Sequence, residues 1–92
     1  MIKTFRHKGL ERFFVHDDPS LLNLKQCDRI GRMLDRLDGS DAVQDMNLPG
    51  YGLHRLTGAR KNFWSVKVSG NWRITFQFAD RDAYNVNLED YH

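Results

Sequence analysis

Trp64-Ser65-Val66-Lys67-Val68-Ser69-Gly70-Asn71-Trp72-Arg73-Ile74-Thr75-Phe76-Gln77-Phe78 decides the fold. Trp64, Val66 and Val68 alternate with Ser65, Lys67 and Ser69. After Gly70-Asn71, Trp72, Ile74, Phe76 and Phe78 alternate with Arg73, Thr75 and Gln77. A period of two describes a sheet with one buried and one open face. Residues opposite each other in an antiparallel pair share a face. A three-residue loop, Ser69-Gly70-Asn71, sets Val68 opposite Trp72 and lets the glycine take the left-handed position. Val66 then faces Ile74, and Lys67 faces Arg73 on the open side. Like charges directly opposite are destabilising, so that pair is a candidate anion site. The plain alternative is two long side chains splaying into water.

Working outward, Tyr84, Val86 and Leu88 alternate with Asn85 and Asn87, a further strand. Upstream, Pro49-Gly50 marks a turn. It follows a connector from Ser40 with one helical turn around Ala42 to Met46. Leu24, Cys27, Ile30, Leu34 and Leu37 form an apolar stripe at helical spacing. Asn23 is its N-cap, Gln26 stands three residues on, and Gly39 closes the helix. Leu10, Phe13 and Phe14 mark one face of an earlier helix that Asp17-Asp18-Pro19-Ser20 ends. Ile2 to Phe5 reads as a short first strand. The expected fold is α+β. A short N-terminal strand precedes two antiparallel helices, which pack on one face of a three- or four-stranded antiparallel sheet. One domain spans residues 1–92. The helices are expected to cover Trp64, Val66, Val68, Trp72, Ile74 and Phe76.

The chain has 92 residues, 40% of them apolar and 28% charged, which is ordinary globular composition. A chain of this size buries roughly 60–65% of its unfolded surface, so the core must be economical. No apolar run approaches a membrane span. The basic opening lacks the apolar stretch of a secretory signal. Cys27 is the single cysteine, which excludes an intramolecular disulfide and any multi-cysteine metal site. These features point to the cytoplasm.

The net charge of +2 hides an asymmetry. Between Asp45 and Asp80 there is no acid, while Arg55, Arg60, Lys61, Lys67 and Arg73 all carry positive charge. A basic middle favours an anionic partner, most often nucleic acid. His7, His16, His54 and His92 have no metal-ligand spacing, and no phosphate loop or dinucleotide fingerprint is present. Neither a metal nor a cofactor is expected. Cutting RNA without a metal needs a base for the 2′-OH, a cation for the phosphorane, and an acid for the leaving 5′-oxygen. His54, Arg73, Asp90, Tyr91 and His92 have the chemistry for these tasks. Arg is suited to clamping a phosphate with two donors, and a histidine titrates near neutrality.

The chain resembles the HigB-type toxins, or plasmid maintenance killer proteins, of the RelE/ParE superfamily. The resemblance covers nearly the whole chain and opens at Met1-Ile2-Lys3-Thr4-Phe5-Arg6-His7-Lys8-Gly9-Leu10. It is strongest in Leu53-His54-Arg55-Leu56-Thr57-Gly58, in Asn71-Trp72-Arg73-Ile74-Thr75-Phe76-Gln77-Phe78 and in Glu89-Asp90-Tyr91-His92. It implies a RelE-like fold and a ribosome-dependent mRNA endonuclease acting in the decoding site. It also implies a HigA-like helix-turn-helix antitoxin, and binding of operator DNA by the toxin–antitoxin complex. Site residues carry over to His54, Arg73, Asp90, Tyr91 and His92. Thr57 stands where the family usually has lysine, and Arg55 where it has proline; Gly58-Ala59-Arg60 replaces Gly-Asp-Arg. Arg55, Arg60, Lys61 and Lys67 are candidate contacts to RNA and the ribosome. Two rival readings remain at this point. One is a ParE-like gyrase poison; the other is an inactive homologue that still binds antitoxin and DNA.

Overall fold

The computed structural model describes residues 1–90. Two helices, α1 (Lys8–His16) and α2 (Leu24–Asp38), precede four strands: β1 (His54–Arg55), β2 (Phe63–Ser69), β3 (Trp72–Ala79) and β4 (Asp82–Asp90). Short 3-10 turns occupy Val43–Met46 and Gly58–Arg60. The sheet is antiparallel throughout, in the order β1-β2-β3-β4. The expected first strand is reduced to two isolated parallel bridges beside β4, Ile2 to Ala83 and Phe5 to Val86. No described helix is long and apolar enough to cross a membrane.

The helices cover one face of the sheet. Leu10, Ile30, Met33, Leu34 and Leu37 pack there against Val66, Val68, Ile74, Phe76, Ala83 and Val86. Burying a side chain of this kind contributes about 1.5–3 kcal/mol, which makes this layer the main source of stability. The buried stripe of α2 differs from the expected one. Leu24 is 75% exposed, whereas Met33 and Gln26 are buried. The helical sequence of positions 26, 30, 33, 34 and 37 follows the face more closely than one that begins at Leu24. Gln26 is satisfied by donating from Nε2 to Ser69 Oγ at 2.9 Å.

Two bulges adjust the expected register. Val66 faces Ile74 and Lys67 faces Arg73, as parity requires, but Trp72 faces Ser69, leaving Val68 as an extra residue on β2. The loop is therefore Gly70-Asn71, with Gly70 at φ +52°. Trp72 lies at this end of β3, is 36% exposed and stands outside the core, so the helices do not cover it as expected. On β4, Thr75 faces Asn87 while Gln77 faces Tyr84. The extra residue falls at Asn85–Val86, and Asn85 adopts φ +53°, a left-handed conformation that asparagine tolerates. This reverses the alternation beyond it. Ala83 becomes fully buried and Tyr84 turns to the open side.

His7 caps α1: its Nδ1 accepts the Leu10 N–H at 3.1 Å. Burial holds its pKa below the ordinary imidazole value. The neutral ring is the form that accepts this bond, so the folded state binds the proton more weakly than the unfolded state does. Stability is thus full above about pH 6.5 and declines as pH falls through the lowered value. His7→Asn keeps a capping acceptor without a titrating ring. Its melting temperature is expected to change less than the parent's between pH 7.5 and 5; an equal decline in both proteins would show that His7 is not the titrating cap.

Candidate functional site

The face of the sheet without helices is built in rows. Lys67, Arg73 and Glu89 are neighbours across β2, β3 and β4, and His54, Ser65, Thr75 and Asn87 form the next row. Adjacent strands lie about 4.8 Å apart, so His54 stands roughly 10 Å from the Thr75 backbone. Arg73 is two residues along the same strand from Thr75. Both long side chains therefore reach into one trough. Ser65 and Thr75 form its buried floor, 1% and 0% exposed, while Lys67 and His54 are exposed at its edges.

Local ties hold His54 in place. Arg29 of α2 donates from Nη2 to the carbonyls of Gly50, at 2.7 Å, and Lys67, at 3.0 Å. Its guanidinium lies 5.5 Å from the Tyr51 ring centroid. The Lys67 N–H donates to the Tyr51 carbonyl at 2.7 Å. Helix, turn and β2 are thus joined just before β1 begins. His54 Nδ1 lies 3.3 Å from the Gly52 carbonyl and 3.4 Å from Ser65 Oγ. The carbonyl can only accept from Nδ1, whereas the Ser65 hydroxyl can either donate to it or accept from it.

The other side of the trough is a charged clamp. Arg60 donates from Nη1 and Nη2 to the two Glu89 oxygens, the first at 2.9 Å. Thr75 Oγ1 donates to Glu89 Oε2. The Arg60 bond is the main cause that holds the Glu89 carboxyl below the ordinary glutamate value, against the opposing effect of burial. Arg60 also lies 5.3 Å from the Phe63 ring centroid. The 3-10 turn that carries it leaves Gly58 at φ +68° with open space where a Cβ would stand. Only the backbone conformation calls for glycine there. Among the described residues, Arg73 Nη1 is buried without a hydrogen-bond partner. A buried donor of this kind needs an explanation, and an anionic ligand supplies one.

The expected site residues are thus brought together only in part. His54, Arg73 and Lys67 share the trough, and Arg60 forms its wall. Lys61 and Thr57 are exposed on the neighbouring turn. Arg55 pairs with Trp64 across β1 and β2 and lies 5.9 Å from its ring, on the opposite face from His54. Its Nε donates to the Lys61 carbonyl at 2.6 Å, which braces the turn. Asp90 faces Trp72, one position out of step with Glu89. Tyr91 and His92 lie outside the described residues. Sequence reasoning overlooked Ser65, Thr75 and the clamping role of Glu89. The parity that paired Lys67 with Arg73 already put both hydroxyls on that face.

Residues 3–92 match the HigB-like toxin family, described as the RelE-like toxin of the type II toxin–antitoxin system HigB. The chain belongs to this family. It is 45% identical to Endoribonuclease HigB of Proteus vulgaris over 92 residues, all of both chains. It is 31% identical to Toxin HigB-1 of Vibrio cholerae over 91 residues, 97% of this chain and 96% of the other. The protein is thus the toxin of a type II toxin–antitoxin system.

The clamp makes a stability prediction for this toxin. Thr75→Val keeps the shape of the side chain but removes a hydroxyl donor from a half-buried carboxylate. The loss is expected to be about 1.5–3 kcal/mol in urea unfolding at neutral pH, the range for a hydrogen bond to a charged group. The Glu89 pKa is lowered on folding, so its contribution is present above about pH 4.3 and disappears as pH falls through the folded value. The Thr75→Val deficit should therefore shrink in acid. A deficit that is absent at pH 7, or unchanged at pH 3, would contradict the clamp.

Proposed function

We propose that this toxin is an endoribonuclease that cuts mRNA in the ribosomal decoding site by metal-independent acid–base chemistry. The observation that carries this reading is the open-face trough, where a buried guanidinium nitrogen of Arg73, unpartnered among the described residues, lies in the row between Lys67 and Glu89, on the same face as His54. The 45% identity to an endoribonuclease over both full lengths supports it. Arg73 holds the scissile phosphate through its planar fork. One histidine, His54 or His92, removes the 2′-OH proton. The 2′-oxygen attacks phosphorus, the P–O5′ bond breaks, and the other group protonates the leaving 5′-oxygen. The products are a 2′,3′-cyclic phosphate and a 5′-hydroxyl. Asp90 shares the acid–base work or holds the His92 ring for it, and Tyr91 stacks on an unpaired base as aromatics do in RNA recognition. Lys67, Lys61 and the Arg60 wall set positive charge around the trough, and Arg55 adds to it from the opposite face, so ribosome and message binding should weaken steeply with salt. A HigA-like helix-turn-helix antitoxin neutralises the toxin, and the complex of the two binds operator DNA.

Cleavage of message in a translating extract, read by primer extension, tests the assignment. Arg73→Ala and Arg73→Lys are both expected to slow cleavage by about 10²–10³, the scale of losing one transition-state donor, with little change in melting temperature. Deleting His92 is expected to lower the rate by roughly 10²–10⁴ if it is the general acid or base. Full activity in Arg73→Ala would exclude the phosphate role, and full activity without His92 would leave His54 and Asp90 as the acid–base pair. Inhibition of purified gyrase with intact message would overturn the endoribonuclease reading.

A further inference from the structure

Arg73 has a natural partner that it does not use. Glu89 is directly across the β3–β4 pair. Side chains in such positions stand about 5 Å apart at Cβ, and opposite charges there attract. Yet both Glu89 oxygens are taken by Arg60 in a two-bond fork, and Thr75 adds a third donor from the trough floor. Arg73 Nη1 is left buried and unpartnered among the described residues. The clamping cation comes from the Gly58–Arg60 turn, 29 residues away in sequence, so the arrangement is tertiary and not a local accident of the strand pair. A bidentate Arg–carboxylate pair is stronger and more directional than a single contact. Glu89 is thereby engaged before Arg73 can claim it.

We propose that Arg60 is a positioning residue: its fork on Glu89 keeps that carboxylate away from Arg73 and so leaves Arg73 open to a phosphodiester. Arg60 in this role touches a carboxylate and not the RNA, despite its basic character. The proposal rests on the reading of Arg73 as the phosphate-holding group. Without Arg60, the Glu89 carboxylate turns to the cation across the strand, neutralises it and occupies the donors that the message needs. Thr57 and Lys61 stand on the same turn, so Arg60 also ties their turn to β4.

The test compares the full-length parent with Arg60→Met, Glu89→Gln and the Arg60→Met, Glu89→Gln double variant. Cleavage is measured in a translating extract. Binding is measured by fluorescence anisotropy, using a short single-stranded RNA whose internal residues carry 2′-deoxyribose. Arg60→Met is expected to lose about 10²-fold in cleavage, as if the Arg73 donor itself were missing, and to bind the oligonucleotide more weakly. Glu89→Gln removes the competing carboxylate, so its binding of the oligonucleotide is expected to be no weaker than the parent's. The double variant recovers most of both losses, because the neutral amide no longer competes for Arg73. A direct contact between Arg60 and RNA predicts the opposite, with the double variant as impaired as Arg60→Met. That result, or a fully active Arg60→Met protein, would overturn the proposal. Thermal melts accompany each variant. If Arg60→Met does not fold, Arg60→Lys, which holds Glu89 through one point charge, takes its place; a smaller loss again reversed by Glu89→Gln is expected. A parent that binds the oligonucleotide without cutting message sinks the endoribonuclease reading and leaves this proposal to be judged by the binding series. A parent that neither binds the oligonucleotide nor cuts message contradicts both, whereas one that cuts only on the ribosome leaves this proposal to be judged by the cleavage series.

Discussion

Three charged residues side by side on adjacent strands set the terms for this molecule. Lys67, Arg73 and Glu89 form one row across β2, β3 and β4 on the face that the helices leave open. Two cations directly opposite each other are unfavourable, and a half-buried guanidinium without a full set of partners is more so. The arrangement is maintained because the opposite face is over-determined. Val66 must face Ile74 to bury both, and a slip of one residue would send the whole apolar set of β2 to the solvent side. The hydrophobic layer under α1 and α2 thus fixes a register that the charged face would not choose for itself.

The remaining ties deliver the second half of the trough. Arg29 joins α2 to the Gly50 and Lys67 carbonyls, and β1 enters the sheet immediately after that anchored turn. His54 consequently lies in line with Ser65 and Thr75, its Nδ1 against the Gly52 carbonyl. On the far side, Arg60 and Glu89 close the Gly58–Arg60 turn onto β4. An arginine cation, a histidine ring and an Arg–Glu ion pair therefore arise on one face from four separate stretches of chain. A phosphodiester needs such a surface: open enough for a strand of RNA, yet preorganised at the point where charge develops.

Much of this was legible in the sequence, and what was not has identifiable causes. Alternation in β2 and β3 predicts the Val66–Ile74 and Lys67–Arg73 pairs, because parity propagates along a strand without knowledge of the rest of the fold. The same rule misplaced Tyr84. Asn85 in a left-handed conformation inserts one residue, after which Ala83 faces the core. The bulge at Val68 likewise shifted Trp72 to a partly exposed position opposite Ser69. Leu24 looked like the first residue of the apolar stripe, but the stripe begins at Gln26, whose amide finds Ser69. The site shows the same division. His54 and Arg73 carry visible chemistry, and the resemblance to the HigB family, which the comparisons establish, selects them. The Glu89 clamp was out of reach, because its partner lies 29 residues upstream on a turn whose placement depends on the whole sheet.

The central claim is that this face cleaves RNA through the substrate's own 2′-hydroxyl, with Arg73 holding the phosphate. The chemical ends of the cut message test it most directly. After cleavage on translating ribosomes, the downstream fragment should carry a 5′-hydroxyl, labelled by polynucleotide kinase without prior phosphatase treatment. The upstream fragment should end in a 2′,3′-cyclic phosphate. A 5′-phosphate paired with a free 3′-hydroxyl would mean that an activated water attacks instead, and would contradict this account of the site.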